Sequence, residues 1–292
     1  MKFPGDNVTK VNFANVILVI IYNKSLCDSK TLDTISNYNF PNSKLVIHNN
    51  GPEEVIRMSP LWGKLNKCFY SQVELINCLY NKPLSIIYND IFVKYQACNF
   101  VILDDDTEIS ESFVYAMKNN NVDLELPKIK SSDDESIYYP ICDGIVTNES
   151  VDLDPRKVLS IGSGLIINQT LVDKFKTNNL KLFDESYALY GVDFSLFRRI
   201  YKIVDLGEVV KIRSSCFLRH SLSRLDMNEN RDSFRARERA LDLAISTRRY
   251  PTMNLYYMFL RKIVGESIKM RYGNVYCMIK AYILGMHPRC SK

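Results

Sequence analysis

Continuous apolar runs alternate with segments of helical spacing along the first part of the chain. Residues 16–21, 44–47 and 99–103 are short runs, rich in β-branched residues and almost free of polar side chains. Strands that are covered on both faces of a parallel sheet have this composition, because neither face meets water. The three runs therefore predict three core strands of one sheet.

Segments with helical periodicity separate and follow these strands. Their spacing predicts helices over residues 25–37 (with Ser25 as the N-cap), 66–80, 85–97, 110–119, 169–177 and 191–201. Further strands are predicted near residues 137–146, 158–168, 203–206 and 208–218, and helical structure from about residue 228 onward. Alternating strands and helices predict an α/β fold with a doubly wound, Rossmann-like sheet.

Polar residues follow the ends of the predicted core strands. Asn23 comes just after the first strand, Asn49 and Asn50 end the second, and three aspartates at residues 104–106 follow the third. Ligands of doubly wound sheets bind outside the carboxyl ends of the strands. The polar residues at these strand ends therefore predict one binding edge.

The composition of the 292-residue chain is that of a globular protein, with 46% apolar and 24% charged residues, which excludes disordered and collagen-like classes. Its net charge of +5 is unevenly distributed. Residues 1–229 carry 25 basic and 29 acidic side chains, whereas residues 230–292 carry 13 basic and 4 acidic ones. A body with a charge of −4 thus precedes a C-terminal region with a charge of +9, which predicts an acidic partner.

Three features of the sequence predict a cytoplasmic protein without a membrane-spanning helix. The eight cysteines show no C-x-x-C spacing, the N-terminus has no apolar signal sequence, and the longest aliphatic run, residues 16–21, has only a strand's length. We therefore expect reduced thiols and no disulfide framework.

Three adjacent carboxylates at residues 104–106 form the strongest local feature. They repel one another, so that they stay charged only where water or a cation neutralises them. Alternate carboxylates at a strand end suit Mg²⁺ or Mn²⁺ bridging a diphosphate, since both ions prefer oxygen ligands. The plainer interpretation is a solvated acidic turn before the next helix.

Several other motifs of nucleotide and acyl chemistry are missing. The sequence contains no G-x-x-x-x-G-K-S/T, no G-x-G-x-x-G and no G-x-S-x-G, so it lacks a P-loop, a dinucleotide fingerprint and a serine-hydrolase elbow. Phosphatases of the haloacid dehalogenase type have D-x-D-x-T/V after their first buried strand. The sequence fits this motif poorly, because Glu108 stands at its fifth position and the aspartates follow the third predicted strand.

Asp193 follows Gly191 at the start of a predicted helix. An acidic residue in the first turn of a helix is stabilised by the helix dipole, so the residues alone explain Asp193 as a helix-capping side chain. Arg198 and Arg199, on the same helix, fit surface or ion-pair positions.

Six segments follow one another along residues 20–198. They are I-I-Y-N-K at 20–24, V-I-H-N-N-G at 46–51, Asn81 with L-S-I-I-Y-N at 84–89, I-L-D-D-D-T at 102–107, G-S-G-L-I-I at 162–167 with F-D-E at 183–185, and Y-G-V-D at 190–193 with Arg198. In this order they resemble the motifs of inverting family 2 glycosyltransferases, which have a GT-A fold. The resemblance covers roughly residues 14–224, and the order of the six segments is its specific part.

The resemblance implies a role for each matching residue. Asp104 and Asp106, together with His220, would bind a Mn²⁺ or Mg²⁺ cofactor. Asp193 would be the catalytic base that takes a proton from the acceptor hydroxyl. The residues that would bind the nucleotide-sugar donor are Tyr22, Asn23, Asn49, Asn89, Asp104 and Asp105.

The sequence departs from the family pattern at two of these positions. Asn49 stands where the family has an aspartate that accepts a pyrimidine N–H, so an uncharged amide oxygen would make that contact. Val192 stands where a glutamate precedes the base. His220 ends a predicted strand, and both a metal-ligand and a structural role are open to it.

The C-terminal region, residues 230–292, combines positive charge with aromatic and aliphatic residues. Arg and Lys beside the Tyr, Phe and Leu of residues 255–260 and 275–279 have the composition of helices that lie on an anionic membrane surface. Helices packed on the body, with a solvated basic face, explain the same composition. No nucleic-acid-binding motif accompanies the charge, so nucleic acid is not expected as a partner.

The residues and the resemblance together imply a GT-A catalytic domain at residues 1–228, with a central sheet flanked by helices, and a basic helical appendage at residues 229–292. The implied activity is that of a metal-dependent inverting glycosyltransferase, which uses a UDP- or dTDP-sugar and a lipid-linked or oligosaccharide acceptor. O-antigen or capsule assembly at the inner face of the plasma membrane is the implied setting. The alternatives are a sugar-nucleotide nucleotidylyltransferase and a non-catalytic GT-A-like scaffold at the membrane.

Overall fold

The computed structural model describes residues 12–221 and 233–291. The strands in these stretches are β1 (Asn12–Ile21), β2 (Ser43–Asn49), β3 (Val73–Asn77), β4 (Gln96–Asp104), β5 (Thr107–Glu108), β6 (Leu124–Glu125), β7 (Lys128–Ser131), β8 (Ile137–Tyr139), β9 (Ile141–Cys142), β10 (Ile145–Val146), β11 (Val151–Leu153), β12 (Val158–Leu159), β13 (Leu165–Asn168), β14 (Ile212–Ser214) and β15 (Phe217–His220). The α-helices are α1 (Lys30–Ile35), α2 (Pro60–Cys68), α3 (Leu84–Lys94), α4 (Glu111–Asn119), α5 (Gln169–Thr177), α6 (Val192–Asp205), α7 (Ser233–Arg249), α8 (Met253–Ile268) and α9 (Tyr272–Leu284).

An eight-stranded sheet forms the centre of the fold, in the order β11-β14-β6-β13-β4-β1-β2-β3. The strands β3, β2, β1 and β4 are parallel, and β13 runs antiparallel to β4. Two smaller sheets have the orders β10-β9-β12 and β5-β15-β7-β8. The predicted α/β fold, with core strands at residues 16–21, 44–47 and 99–103, is therefore confirmed.

The central strand β1 separates two hydrophobic cores. Val16 and Leu18 belong to the core on one face of the sheet, and Ile17 and Val19 to the core on the other. All four side chains are fully buried. A strand that is covered on both faces has no polar side to expose, which explains the continuous apolar run.

The helix predicted over residues 66–80 is wrong beyond Cys68. Tyr70 and Ser71 have positive φ angles of 50° and 64°, which end the helix, and β3 then pairs with β2. The sequence V-E-L-I-N of β3 buries only Leu75. A half-buried strand at the sheet edge has too few apolar residues to be distinguished from a helix end by spacing alone.

The structure corrects two other predicted elements. The helix predicted over residues 25–37 divides in two: Ser25 is the N-cap of a 3₁₀ turn at Leu26–Asp28, and α1 begins only at Lys30, where Ser29 caps it by accepting a backbone N–H with its hydroxyl. Residues 203–206 do not form a strand, because α6 continues to Asp205 and buries Ile203 and Val204 in the core.

The C-terminal helices pack on the segment that leads into α6. The Tyr187 hydroxyl lies 3.0 Å from Ser246 Oγ of α7, and the His287 N–H donates to the Ser186 carbonyl at 2.8 Å. Gly191 has φ +80°, and a Cβ at this position would collide with Asp242 of α7. The predicted domain boundary at residues 228 and 229 lies outside the described residues.

A buried ion-pair cluster fastens α7 to this segment. Asp184, which is 2% exposed, contacts Arg249 Nε of α7 at 2.7 Å, Arg199 Nη2 at 3.3 Å and the Tyr250 hydroxyl at 2.8 Å. Burial by itself would raise the pKa of Asp184, but the two guanidinium groups and the phenol outweigh it and lower the pKa below its ordinary value of 3.8.

We expect Asp184→Asn to lower the free energy of unfolding at neutral pH by about 3 kcal/mol, because Arg199 and Arg249 lose their charged partner. Since the folded-state pKa of Asp184 lies below the unfolded one, its carboxylate stabilises the fold above that unfolded value. This contribution disappears as the pH falls through the folded-state pKa. Urea denaturation at neutral and acidic pH measures both effects.

Asp205→Asn is the matched control for this prediction. Its carboxylate contacts Arg156 Nη2 at 3.2 Å on the surface, and exposed pairs contribute roughly 0–1 kcal/mol. Equal destabilisation by the two variants would show that the Asp184 cluster does not fasten α7 to the body.

Candidate active site

The acidic turn lies at the carboxyl edge of the central sheet. Asp104 is the last residue of β4 and lies opposite Ile20 of β1, and Asn49 ends the neighbouring strand opposite Ile21. The turn is held from α1, where the Thr31 hydroxyl donates to the Asp104 carbonyl. The strand ends that the sequence predicted to form one edge are thus neighbours.

His220 reaches this turn through the pairing of β15 with β5. In that antiparallel pair His220 lies opposite Thr107, the residue after the acidic turn. The His220 Nδ1 atom is 3.1 Å from Asp106 Oδ1. One ligand atom each from Asp104, Asp106 and His220 lie within 4.8 Å of one another, so that the three side chains can share one ion.

Two hydroxyl groups connect the acidic turn to His220. The Asp104 N–H donates to Ser163 Oγ at 3.0 Å, Ser163 Oγ lies 2.7 Å from Thr107 Oγ1, and Thr107 Oγ1 lies 3.1 Å from His220 Nδ1. This chain of contacts orients the imidazole ring. Ser163 and Thr107 are not among the predicted site residues, although both lie within segments that resemble family motifs.

Asp193 lies beside the same group of side chains. It is the second residue of α6, and its carboxylate occupies the space that a side chain at position 162 would need, since a Cβ on Gly162 would collide with Asp193 Oδ1. The next residue, Ser163, contacts the backbone of Asp104. Asp193 and Asp104 therefore lie on either side of two consecutive residues, Gly162 and Ser163, and are close to each other.

The electrostatics of the group fit a cation site. Burial, together with the charges of Asp106, Asp193 and Asp105, raises the pKa of Asp104 to about 7, against the opposing effect of His220. Burial lowers the pKa of His220, but the aspartates outweigh it and the net direction is upward. Near neutral pH the group therefore still binds protons, and a bound cation would displace them.

A divalent ion fits the donor atoms that are present. Asp106 Oδ1 is buried, and its one close polar neighbour among the described residues is His220 Nδ1 at 3.1 Å. Two carboxylates and one imidazole are ligands that divalent metals accept. The residues that the resemblance implies as metal ligands, Asp104, Asp106 and His220, thus lie together in one place.

The first loop of the site is fastened to Asp105. The Lys24 Nζ atom lies 2.7 Å from Asp105 Oδ1. Asn23 has a positive φ of 53°, and its N–H donates to the Gly51 carbonyl at 2.8 Å. Sequence reasoning did not assign a role to Lys24. The donor-binding roles of Tyr22, Asn23 and Asp105 stay predictions.

The amides of Asn49 and Asn89 contact the protein itself. The Asn49 amide donates to the Glu53 carbonyl at 2.6 Å, which supports the loop after β2. The Asn89 amide donates to the Phe183 carbonyl at 2.9 Å and accepts the Phe183 N–H at 3.1 Å, which anchors the F-D-E segment. Contacts of these two residues with a donor stay predictions.

Comparison with known proteins identifies the fold. No protein-family model and no curated protein matches the chain. Among solved structures it is similar to residues 1–349 of S. aureus TarS in complex with UDP, with 12% identity and a TM-score of 0.53 over 79% of this chain and 65% of that one. A structure of S. aureus TarS matches with 12% identity and a TM-score of 0.58 over 95% of this chain and 50% of that one.

A third similar structure is GalNAc-T7 with UDP, GalNAc and Mn²⁺, at 11% identity and a TM-score of 0.50 over 72% of this chain and 44% of that one. The chain thus spans 65% or less of the length of the chains in these three structures. At such identities the similarity is one of fold, and the fold is the GT-A fold that the resemblance of the six segments implies.

We expect Mn²⁺ affinity to rise with pH, because protons and the ion compete for the same groups. Below pH 7 the Asp104 carboxyl, with its pKa of about 7, holds a proton. Each proton that the ion must displace weakens binding about tenfold for every unit by which the pH falls. His220→Gln should weaken binding by at least about tenfold. Isothermal titration calorimetry between pH 6 and about pH 8 measures both effects.

His48→Gln is the matched control for His220→Gln. His48 is also buried, but it lies opposite Ile20, two strands away from Asp104. Affinity that does not depend on pH, or equal losses in the two variants, would show that the ion binds elsewhere.

Proposed function

We propose that the chain is a glycosyltransferase that moves a sugar from a nucleotide-diphospho-sugar to an acceptor hydroxyl with inversion. One observation carries this proposal: a carboxylate on α6, Asp193, lies beside a group of metal-ligating side chains at the carboxyl edge of a GT-A sheet. TarS and GalNAc-T7 share the fold and have been solved with UDP, which favours a UDP-sugar over a dTDP-sugar as donor.

The metal site would consist of Asp104, Asp106 and His220. A divalent ion held there supplies positive charge against the diphosphate as it becomes the leaving group. An imidazole ligand favours Mn²⁺ over Mg²⁺, because Mg²⁺ takes oxygen ligands almost without exception. The presence of Mn²⁺ in the GalNAc-T7 structure agrees with this choice.

Asp193 would act as the general base. Inversion by a single displacement needs a base that takes the acceptor proton on the side opposite to the leaving group. A carboxylate is basic enough, because the hydroxyl becomes acidic only as its oxygen bonds to the anomeric carbon. Gly162 leaves room for the Asp193 carboxylate at the edge of the site.

The first loop and the strand ends would bind the donor. The Tyr22 ring is exposed at the end of β1, where a nucleoside base can lie against it. Asn23, Asn49 and Asp105 lie in the same region and Asn89 lies on α3. Because the amides of Asn49 and Asn89 already hold loops in place, their proposed contribution is to shape the pocket as well as to contact the donor.

Membership of family 2 and a role in O-antigen or capsule assembly are supported by the resemblance of the six sequence segments. In that setting the acceptor is lipid-linked or an oligosaccharide, and the protein works in the cytoplasm at the inner face of the plasma membrane. The basic region at residues 230–292 supports this location through attraction to anionic lipid. In the stretches that the structure describes, every helix is too short or too polar to cross a bilayer.

We expect Asp193→Asn to lower turnover by at least about 100-fold while Mn²⁺ and UDP still bind, because the amide cannot take the acceptor proton. Release of UDP from a panel of UDP-sugars, with dTDP-sugars for comparison, measures turnover, and calorimetry measures binding. Turnover like that of the wild type would exclude Asp193 as the base. Absence of metal-dependent UDP binding in the wild type would favour the scaffold alternative.

Gly162→Ala tests the same base through its surroundings. The added Cβ needs the space of the Asp193 carboxylate, so turnover should fall while the fold persists. Gly63→Ala is the control, because a Cβ on Gly63 of α2 meets no atom within 4 Å. Equal activity of the two variants would contradict the assigned position of Asp193.

A further inference from the structure

Exposed apolar side chains form a stripe along α8. The stripe consists of residues three or four positions apart, which share one face of a helix: Met253, Tyr257, Leu260, Val264 and Ile268. The helix has 16 residues and is therefore about 24 Å long. Large apolar side chains that are exposed in a continuous row mark an interaction surface.

A second stripe of the same kind runs along α9. Its members also follow helical spacing and are exposed: Tyr272, Tyr276, Ile279 and Ile283. The two helices contact each other on other sides, where the rings of Phe259 and Tyr282 stack with centroids 5.1 Å apart. Successive residues lie about 100° apart around a helix, so that this contact leaves the stripe residues Leu260 and Ile283 exposed, and together the two stripes are called the α8–α9 face.

Positive charge borders the α8–α9 face. Arg261 follows Leu260 on α8, and Lys280 follows Ile279 on α9. Lys269 and Arg271 lie in the connection between the two helices. All four basic side chains are exposed. The only acidic residue among residues 253–284 is Glu266. It is buried, and its carboxylate lies 3.3 Å from Lys262 Nζ.

The basic residues of α7 have different surroundings. Arg249 contacts the buried Asp184 at 2.7 Å, and the Arg239 guanidinium lies 5.2 Å from the centroid of the Tyr190 ring. These side chains fasten α7 to the body of the protein. Arg239 and Arg249 are therefore engaged with the body of the protein, whereas α8 and α9 present exposed cations beside exposed apolar stripes.

We propose that the α8–α9 face docks on an anionic lipid bilayer, with its apolar side chains in the interfacial region and its cations on the lipid phosphates. Helices with one apolar face and flanking Lys and Arg bind membranes in this way. This proposal places the membrane contact of the proposed function on two helices. The docking surface is argued from exposure and charge, and only its biological role rests on the proposed function.

The charges decide between a bilayer and a second copy of the chain. A symmetric dimer through this face would bring the exposed cations of α8 and α9 together with their own copies, with Glu266 buried and already paired. Anionic lipid instead supplies the missing negative charge. The charge complementarity therefore selects the bilayer.

The test uses the full chain, without donor or metal, and vesicles of phosphatidylcholine with phosphatidylglycerol or of phosphatidylcholine alone. We expect binding to the anionic vesicles. Leu260→Gln/Ile283→Gln should weaken it by about tenfold or more, and Arg261→Gln/Lys280→Gln by about fivefold for each cation. Co-sedimentation measures binding, and urea denaturation verifies that each variant is folded.

Leu206→Gln/Ile145→Gln is the matched control and should bind like the wild type. Leu206 is 61% exposed against 60% for Leu260, and Ile145 is 72% exposed against 68% for Ile283, but both lie outside the α8–α9 face. Equal losses in the two double variants would overturn the proposal. So would a wild-type dimer that ignores vesicles and that Leu260→Gln/Ile283→Gln dissociates, because the face would then bind a second copy.

Failure of this inference is distinguishable from failure of the proposed function. UDP release is measured in solution, and vesicle binding is measured without any sugar nucleotide. A chain that binds vesicles but releases no UDP from any donor would overturn the proposed function alone. A chain that releases UDP but ignores anionic vesicles would overturn the docking surface alone.

Discussion

Repulsion between carboxylates at one edge of the central sheet is the constraint on which the site depends. Asp104, Asp106 and Asp193 are held close together, and burial with mutual repulsion raises the pKa of Asp104 to about 7. Unfavourable proximity of this kind persists only where the surrounding structure enforces it. A bound divalent cation relieves the repulsion, and our account assigns that role to the metal of a sugar-transfer reaction.

The scaffold enforces the proximity through contacts between residues that are far apart in the chain. Pairing of β15 with β5 brings His220 to the acidic turn, and Ser163 joins the turn to the loop before β13. Helix α6 supplies Asp193 from a segment that α7 holds through the Asp184 cluster. The C-terminal helices therefore support the proposed base as well as carrying the proposed membrane surface.

The sequence was informative where one physical signal dominated. Continuous apolar runs predicted β1, β2 and β4, because strands covered on both faces have no polar positions, and the aspartates after β4 marked the edge that binds ligands. Spacing failed at the half-buried β3, where a helix end and an edge strand have similar composition. Contacts such as that of His220 with Asp106, across 114 positions, depend on strand pairing, which single-residue patterns do not encode. Asn49 and Asn89 show a further limit, since the sequence cannot tell whether an amide faces a ligand or supports a loop.

The most direct measurement of the central claim is a crystal structure of the chain with UDP and Mn²⁺, with the ion located by its anomalous scattering. Our account predicts one strong anomalous peak among Asp104, Asp106 and His220, with the UDP diphosphate in contact with the ion and Asp193 facing the open side of the site. An ion at another place, or UDP bound away from the carboxyl edge of the sheet, would contradict it.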